Sequence, residues 1–350
     1  MIERTVSRHP APWRRLEDGR FECGLCPQRC KLRPGQRGIC FIRRATEEGV
    51  TLSEYGRVSS VAVDPIEKKP LYHFLPGSRS LSLGTIGCNL ICRFCQNWHI
   101  SKPNDDSALD EERLAPERIA EAAVRARCAS VSYTYNEPII GFEFTLDCAD
   151  ACRERGVANV AVTNGYIEPE PRAEFFTAMD AANVDLKSFN ERWYRRICGA
   201  HLQPVLDTLV YIHTHTPCWL EVTTLLIPGE NDHAEELTRL VDWVLANLGP
   251  EVPLHFTAFH PNYRMLDHES TPPEILQRAR RLAMDAGVRY VYTGNIWDAE
   301  GATTWCSGCG AALVRRQGFA VTELRLGADG RCPQCGQVCP GVWERPRVSP

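Results

Sequence analysis

The chain has 350 residues, of which 43% are hydrophobic, and its formal net charge at neutral pH is −4. This length and composition are enough for one large core with small attachments. No apolar run approaches the length of a bilayer crossing, and the acidic balance disfavours a nucleic-acid binder. We therefore expect a soluble protein without membrane contact.

Seventeen cysteines are present, and many of them stand in C-x2-C pairs. In a short secreted chain such a content would indicate a disulfide scaffold, but this chain is long. Its start, Met1 to His9, has no apolar core of signal-peptide length. We therefore expect a cytoplasmic protein with reduced cysteines, many of which bind metal.

Residues 1–78 are predicted to form an N-terminal Cys-rich extension. It contains Cys23, Cys26 and Cys30 at close spacing, and Cys40 follows after a Pro-Gly turn that folds it back towards them. Four thiols satisfy the ligand count of a closed tetrahedral site. Zinc and an auxiliary iron-sulfur cluster both fit this spacing, and four free thiols are the alternative.

The end of this extension connects it to the core. The alternating run Arg57-Val-Ser-Ser-Val-Ala-Val63 predicts a strand. The proline-rich run from Asp64 to Gly77 predicts an extended connector that leads to the first core strand.

Residues 79–300 are predicted to form the core, an α/β domain of repeated βα units around a parallel sheet. The predicted strands are 80–84, 130–135, 158–163, 183–187, 219–227 and 254–259, with 289–292 as an optional last strand. The helix around Leu240 shows an apolar stripe, with Asp232 as a start signal and Gly249 as a stop signal. Whether the sheet is a barrel or open, such folds place their chemistry on the loops after the strand ends.

The first core strand leads into Cys88-Asn-Leu-Ile-Cys92-Arg-Phe-Cys95. Each of these thiolates can bind one iron of a four-iron cubane cluster, and the stretch offers no fourth cysteine. One iron would therefore stay open for a small-molecule ligand, next to the aromatic ring of Trp98. The alternative is a chance grouping or a zinc site, although zinc usually takes four ligands.

Several other strand ends carry polar residues that packing would not select. Because the carboxyl ends of parallel strands meet at one face, we expect these residues to lie near the cysteine loop. They are Asn136, Glu137, Asn164, Asp185, Lys187 and His260.

Residues 301–350 are predicted to form a zinc-ribbon-like tail. Cys306 and Cys309 form one C-x2-C pair, Cys332 and Cys335 form a second, and a glycine follows each pair. Four thiolates in two such pairs are typical of structural zinc. Cys339 is a spare that could replace one ligand.

The remaining cysteines are interpreted as small apolar residues of the core. For Cys198 a position facing the active site is the alternative. These residues are Cys128, Cys148, Cys152, Cys198 and Cys218.

The motifs together resemble the radical S-adenosylmethionine (radical SAM) enzymes related to the pyruvate formate-lyase activating enzyme. Within them, they resemble the AmmeMemoRadiSam system radical SAM enzymes. The resemblance covers nearly the whole chain. It rests on residues 69–77, 88–98, 133–138, 185–187, 194–200, 255–261 and 306–309.

The resemblance implies a partial (β/α)6 barrel, open on one side, that binds SAM across its carboxyl-end face. Cys88, Cys92 and Cys95 would hold a [4Fe-4S] cluster whose open iron SAM chelates. In these enzymes a Gly-Gly-Glu-Pro-like turn holds the methionine ammonium, and the matching turn here is Tyr135-Asn136-Glu137-Pro138. The two glycines are absent, which leaves Glu137 as the acceptor for the ammonium.

The resemblance also implies roles for residues on other strands. Asp185 and Lys187 match an Asp-x-Lys pair that contacts SAM, with Lys187 pairing with the SAM carboxylate, and His260 matches a histidine near the ribose. The activity implied is reductive cleavage of SAM to a 5′-deoxyadenosyl radical that abstracts hydrogen from a substrate, which could be a protein. The partners implied are a reductant such as a ferredoxin or flavodoxin, and Memo-like and AMMECR1-like proteins.

Two other functions compete with this one. The first is an RNA-modifying radical SAM protein, because zinc ribbons and an arginine-rich start can both contact RNA; the net acidity argues against it. The second is a non-enzymatic iron-sulfur and zinc module, which would hold a cluster with four cysteine ligands.

Overall fold

The structure is a computed structural model that describes residues 7–102 and 113–344. Two small antiparallel sheets precede the core. The first contains β1 (Trp13–Arg15), β2 (Phe21–Cys23) and β3 (Lys31–Leu32), and the second pairs β4 (Arg43–Ala45) with β5 (Val50–Leu52). The four N-terminal cysteines lie in these strands or in the turns beside them, so the small sheets bring the thiols together.

The core is an eight-stranded sheet in the order β13-β12-β11-β10-β9-β8-β7-β6. Strands β7 to β13 are parallel, and β6 pairs antiparallel with β7 at one edge. The strands are β6 (Ser60–Pro65), β7 (Arg79–Gly84), β8 (Ser130–Tyr133), β9 (Ala158–Thr163), β10 (Ala181–Asp185), β11 (Trp219–Leu226), β12 (Leu254–Ala258) and β13 (Val291–Gly294).

Helices connect the parallel strands. Val131, Val160, Val184 and Val222, in the middle of four neighbouring strands, are fully buried, as parallel strands covered on both faces require. The helices are α1 (Trp98–Ser101), α2 (Pro116–Arg125), α3 (Phe142–Glu154), α4 (Pro169–Thr177), α5 (Glu191–Trp193), α6 (Gln203–His215), α7 (Ala234–Asn247) and α8 (Pro273–Asp285).

The predicted α/β fold with a parallel core is confirmed, and each predicted core strand lies within about three residues of an observed one. The optional last strand is present as β13, so the sheet has seven parallel strands. One detail differs. The strand predicted at 57–63 is β6, which lies before the predicted boundary at residue 78 yet belongs to the core sheet.

The predicted start signal of α7 is wrong. Its N-cap residue is His233, whereas the Asp232 side chain accepts a hydrogen bond from the backbone N–H of Gly229 (2.8 Å) and stabilises the preceding turn. The stop signal is right, because Gly249 has φ +78°, a left-handed conformation that glycine adopts without a steric penalty.

The connector before β7 covers the amino-terminal end of the sheet. The buried Glu221 carboxylate of β11 accepts hydrogen bonds from the backbone N–H groups of Tyr72 (3.0 Å) and His73 (2.7 Å). The same carboxylate contacts the ring of His255 at 2.6 Å and accepts a bond from the Trp219 indole at 3.1 Å. A single buried charge thus has several partners, which holds the connector to the core.

The tail contains β14 (Thr304–Trp305), β15 (Ala312–Gln317) and β16 (Ala320–Leu324) and packs against the same end of the sheet. Its Cys306 and Cys332 share one apolar cluster with Tyr72 of the connector and Tyr292 of β13. The buried Arg316 guanidinium donates to the carbonyl of Tyr72 at 2.7 Å. The tail is therefore joined to the core by buried contacts.

Candidate active site and metal centres

The cysteine loop follows β7 at the carboxyl end of the sheet. Gly87, directly before Cys88, has φ +85°, and a Cβ there would lie 2.1 Å from the carbonyl oxygen of Cys40. Only glycine allows this close approach of the two backbones. The backbone N–H of Ile91 donates to the carbonyl of Cys198 at 2.8 Å, which ties the other side of the loop to the turn after α5.

The three thiols of this loop are not packed tightly around a point. Among the residues the structure describes, one group of three or more potential metal ligands has all its donor atoms within 4.8 Å of one another, and it is the group in the tail. The sulfur atoms of Cys88, Cys92 and Cys95 are therefore more widely spaced than those of a single-ion site. In a cubane cluster each thiolate binds a different iron, so wide spacing is what such a cluster requires.

Cys92 has a sulfur neighbour that the motif does not include. The buried Cys198 thiol is a neighbour of Cys92, and its influence lowers the pKa of Cys92 against the effect of burial. Cys198 thus faces the cysteine loop, which was the alternative to its interpretation as a core residue. The π-helical turn Tyr194–Cys198 places it there.

The turn after β8 takes a glycine-like conformation without glycine. Tyr135 has φ +72°, a region that non-glycine residues seldom occupy. Its hydroxyl donates to the Asp64 carboxylate (2.9 Å), and its carbonyl accepts from the Asn97 amide (2.8 Å). These contacts hold the strained residue in place, so the missing glycine is compensated locally.

Asn136 connects this turn to the cysteine loop. Its side-chain oxygen accepts from the backbone N–H of Thr85 at 3.0 Å, and its amide donates to the carbonyl of Gly87 at 3.0 Å. The turn after β8 and the loop after β7 are therefore held at fixed separation.

Glu137 is buried and has partners on two strand ends. Its carboxylate accepts hydrogen bonds from the Thr163 hydroxyl (2.7 Å) and from the backbone N–H groups of Asn164 (2.8 Å) and Ile139 (3.0 Å). Burial raises the pKa of Glu137 to about 7, although each of these donors lowers it. The contacts give Glu137 a structural role beside its predicted role at the cofactor.

Asn164 is a site residue whose contacts were not predicted. Its amide donates to the Asn89 side chain at 2.8 Å and lies 3.9 Å from the sulfur of Cys88. The sequence signal was the polar strand end Thr163-Asn164-Gly165, which by itself indicates only a turn.

Asp185 and Lys187 form an ion pair at the end of β10, with 2.8 Å between the Lys187 ammonium and the Asp185 carboxylate. The ammonium also lies 5.8 Å from the centre of the Phe94 ring, inside the cysteine loop. Burial disfavours the charge, but the Asp185 carboxylate and the thiols of Cys92 and Cys198 outweigh it and raise the pKa of Lys187. A partly buried ammonium therefore lies beside the loop.

His260 lies after β12 with an exposed side chain whose Nδ1 is 3.3 Å from the Ser270 hydroxyl. Its predicted position near a ribose stays a prediction.

The four N-terminal thiols line one pocket at the carboxyl end of the sheet, where the Cys88 loop also lies. Cys23, Cys26 and Cys40 are buried and Cys30 is partly buried. Arg43 also lines this pocket, and its guanidinium forms a bidentate ion pair with the Glu143 carboxylate of α3.

The tail brings Cys306, Cys309, Cys332 and Cys335 together. The sulfur of Cys306 lies 3.5 Å from that of Cys335, and the sulfur of Cys309 lies 3.7 Å from that of Cys332. A tetrahedron of thiolates around zinc has edges of about 3.8 Å, given a zinc-sulfur bond of about 2.3 Å. Cys339 is not in this group; it is buried with its sulfur 3.9 Å from Nδ1 of His73.

No helix in residues 7–102 and 113–344 is long and apolar enough to cross a membrane.

Residues 83–241 match the family described as Radical SAM superfamily. An uncharacterized protein of Methanocaldococcus jannaschii is 42% identical over 327 residues, which are 93% of this chain and 96% of that protein. The pyruvate formate-lyase 1-activating enzyme of Escherichia coli K12 is 23% identical over 169 residues, 47% of this chain and 68% of that enzyme.

Among solved structures, a radical SAM methyltransferase from Sphaerobacter thermophilus aligns with a TM-score of 0.51 and 13% identity, over 88% of this chain and 82% of that one. At this identity the likeness concerns the fold.

Proposed function

Because the chain belongs to the radical SAM superfamily, we propose that it cleaves SAM reductively and uses the resulting 5′-deoxyadenosyl radical to abstract hydrogen from a substrate. Membership makes the chain an enzyme and implies a [4Fe-4S] cluster and SAM, so the non-enzymatic alternative is excluded. When bound, the cluster and SAM supply the electron transfer and the radical. The protein binds, orients and shields them.

The observation that carries this proposal is the wide spacing of three thiols in the loop after β7, beside the partly buried ammonium of Lys187. Cys88, Cys92 and Cys95 would bind three irons and leave the fourth for SAM. The Lys187 ammonium would pair with the SAM carboxylate, with Asp185 holding it in position. The left-handed Tyr135 and its neighbour Asn136 would present the turn to the SAM ammonium, and His260 would lie near the ribose.

The tail is proposed to hold structural zinc through Cys306, Cys309, Cys332 and Cys335. Its sulfur-sulfur distances support zinc, and four thiolates leave no open position for substrate.

Finer assignments rest on the sequence resemblance. We assign the chain to the AmmeMemoRadiSam system and expect a ferredoxin or flavodoxin as reductant, with Memo-like and AMMECR1-like partners. The C-x2-C pairs in a chain of this length support a reducing, cytoplasmic location.

The test is anaerobic reconstitution with iron, sulfide, reductant and SAM, followed by chromatography for 5′-deoxyadenosine. The wild-type protein should form it, and Cys88→Ala, Cys92→Ala and Cys95→Ala should each abolish it, because a cluster held by three thiolates does not survive the loss of one. Cys218→Ala, which removes a buried thiol at the start of β11, is the matched control. SAM cleavage by any of the three variants would contradict the proposal.

A further inference from the structure

The N-terminal cysteines can be assigned a metal by comparison with the other two groups in the same chain. From this comparison we infer that Cys23, Cys26, Cys30 and Cys40 hold a second [4Fe-4S] cluster, closed by four thiolates. This site lies outside the proposed SAM site and does not depend on the proposed function. The sequence alone left zinc, a cluster and free thiols open.

The spacing of the sulfur atoms separates zinc from a cubane. Four thiolates on one zinc ion lie about 3.8 Å apart, whereas the thiolates of a cubane, each on a different iron, lie roughly 6 Å apart. Among the described residues only the tail group has three or more ligand atoms within 4.8 Å of one another. No three of the N-terminal sulfur atoms meet that limit, so their spacing resembles that of the Cys88 loop and not that of the tail.

The shape of the site agrees with this spacing. All four thiol-bearing residues line one common pocket. The walls between the thiols include Leu25 and the buried Ile140 of the turn before α3, which would shield a cluster from water.

Free thiols explain the arrangement less well. Cys23, Cys26 and Cys40 are buried, and burial would favour their mutual packing if they were ordinary apolar residues. Instead all four N-terminal cysteines line one common pocket. The small sheets β1-β2-β3 and β4-β5 have strands of two or three residues, and such short elements seldom stay ordered without a metal.

The pocket lies at the same end of the sheet as the Cys88 loop. The carbonyl of Cys40 contacts Gly87, and the Gln28 amide, between Cys26 and Cys30, donates to the carbonyl of Asn89 at 3.0 Å. The cluster inferred here would thus be a near neighbour of the one at Cys88. With four thiolate ligands it would have no open iron for SAM.

The experiment measures iron, sulfide and zinc per chain after anaerobic reconstitution. Wild-type protein should hold about eight iron, eight sulfide and one zinc, by the count of four irons per cubane. A Cys88→Ala/Cys92→Ala/Cys95→Ala variant should keep about four iron and one zinc. After chemical reduction it should give an electron paramagnetic resonance signal that SAM does not alter. A Cys26→Ala/Cys40→Ala variant should keep about four iron and a signal that SAM alters.

The outcomes are distinguishable from failure of the SAM site. Wild-type protein with about four iron, two zinc and a signal that SAM alters would assign zinc to the N-terminal group, and about four iron, one zinc and a signal that SAM alters would leave that group without metal; either result overturns the inference. The wild-type counts and the response of the wild-type signal to SAM together decide the question even if a variant does not fold. Cys148→Ala, which removes a buried thiol of α3, controls for iron bound at other cysteines and should leave the counts unchanged.

Discussion

Lys187→Ala should weaken SAM binding with little effect on the fold. The change removes an ammonium that is 14% exposed and already positioned by Asp185. A charge-assisted contact of this kind contributes about 1.5 to 3 kcal/mol. Because 1.4 kcal/mol corresponds to a factor of ten in Kd, the expected loss of affinity is about 10- to 100-fold.

The structure separates this effect from loss of stability. The backbone of Lys187 makes two hydrogen bonds. Its N–H donates to the Tyr194 hydroxyl (3.0 Å), and its carbonyl accepts from the Asn231 amide (2.7 Å). Alanine keeps both. Asp185 loses its partner but is 33% exposed, so water can solvate it. The midpoint of urea unfolding should therefore shift only slightly.

The assay is calorimetric titration of SAM into anaerobically reconstituted protein. Lys187→Ala/Asp185→Asn should bind more tightly than Lys187→Ala, because the single variant leaves an unpaired carboxylate near the SAM carboxylate. Arg239→Ala, which removes a cation paired with Glu235 on the surface of α7, is the control. A Kd for Lys187→Ala within about threefold of wild type would refute the proposed contact.

Three further changes probe the structural groups. Cys332→Ser should lower the zinc content by about one equivalent and make the tail protease-sensitive while iron and SAM cleavage persist, because the tail lies at the opposite end of the sheet from Cys88. Glu137→Gln should lower the free energy of unfolding by about 1 to 3 kcal/mol, because an amide N–H₂ would face donors that now bind an oxygen. Burial lowers the pKa of His73 to about 4. The free energy of unfolding of the wild type should therefore fall by about 1 kcal/mol from about pH 7.5 to about pH 5.5, because the unfolded state takes up a proton there that the folded state does not. The free energy of unfolding of His73→Gln should fall by less over the same range.

Each of these has a control or a contradicting result. Cys339→Ser removes a buried thiol of the same apolar cluster and should keep the zinc, whereas a Cys332→Ser protein that keeps its zinc would disprove the assignment. Glu235→Gln, at an exposed position, is the control for Glu137→Gln. Equal midpoints of urea unfolding for the two variants would show that Glu137 has no structural role. For His73, parallel stability curves of the wild type and His73→Gln across this pH range would be the contrary outcome.

The parallel strands and the strand-end residues could be predicted because both follow from local patterns. Buried β-branched runs mark the strands, and polar residues directly after them mark the carboxyl end of the sheet. The edge strand β6 was recognised as a strand, but its antiparallel pairing with β7 was not. Val61 and Val63 are half exposed, and the alternation they create indicates a strand without identifying its neighbour.

Contacts between distant residues were beyond the sequence. The left-handed conformation of Tyr135 depends on Asp64, which lies 71 positions earlier, and the Glu137 carboxylate depends on Thr163, which lies 26 positions later. The spacing of C-x2-C pairs likewise predicts that thiols meet but not how far apart their sulfur atoms lie. That distance, which separates zinc from a cubane, is set by the surrounding fold.

The Glu221 carboxylate has a consequence for the dynamics of the connector. Residues 70–78 have no helix or strand, and irregular segments usually exchange their amide hydrogens with solvent through local opening. The amides of Tyr72 and His73, however, are bound to a carboxylate inside β11, so releasing them would remove two of the hydrogen-bond donors that stabilise a charge buried in the core. Their hydrogen-deuterium exchange should therefore be as slow as that of the central strands, and a segment that looks like a loop would be among the last parts of the molecule to open.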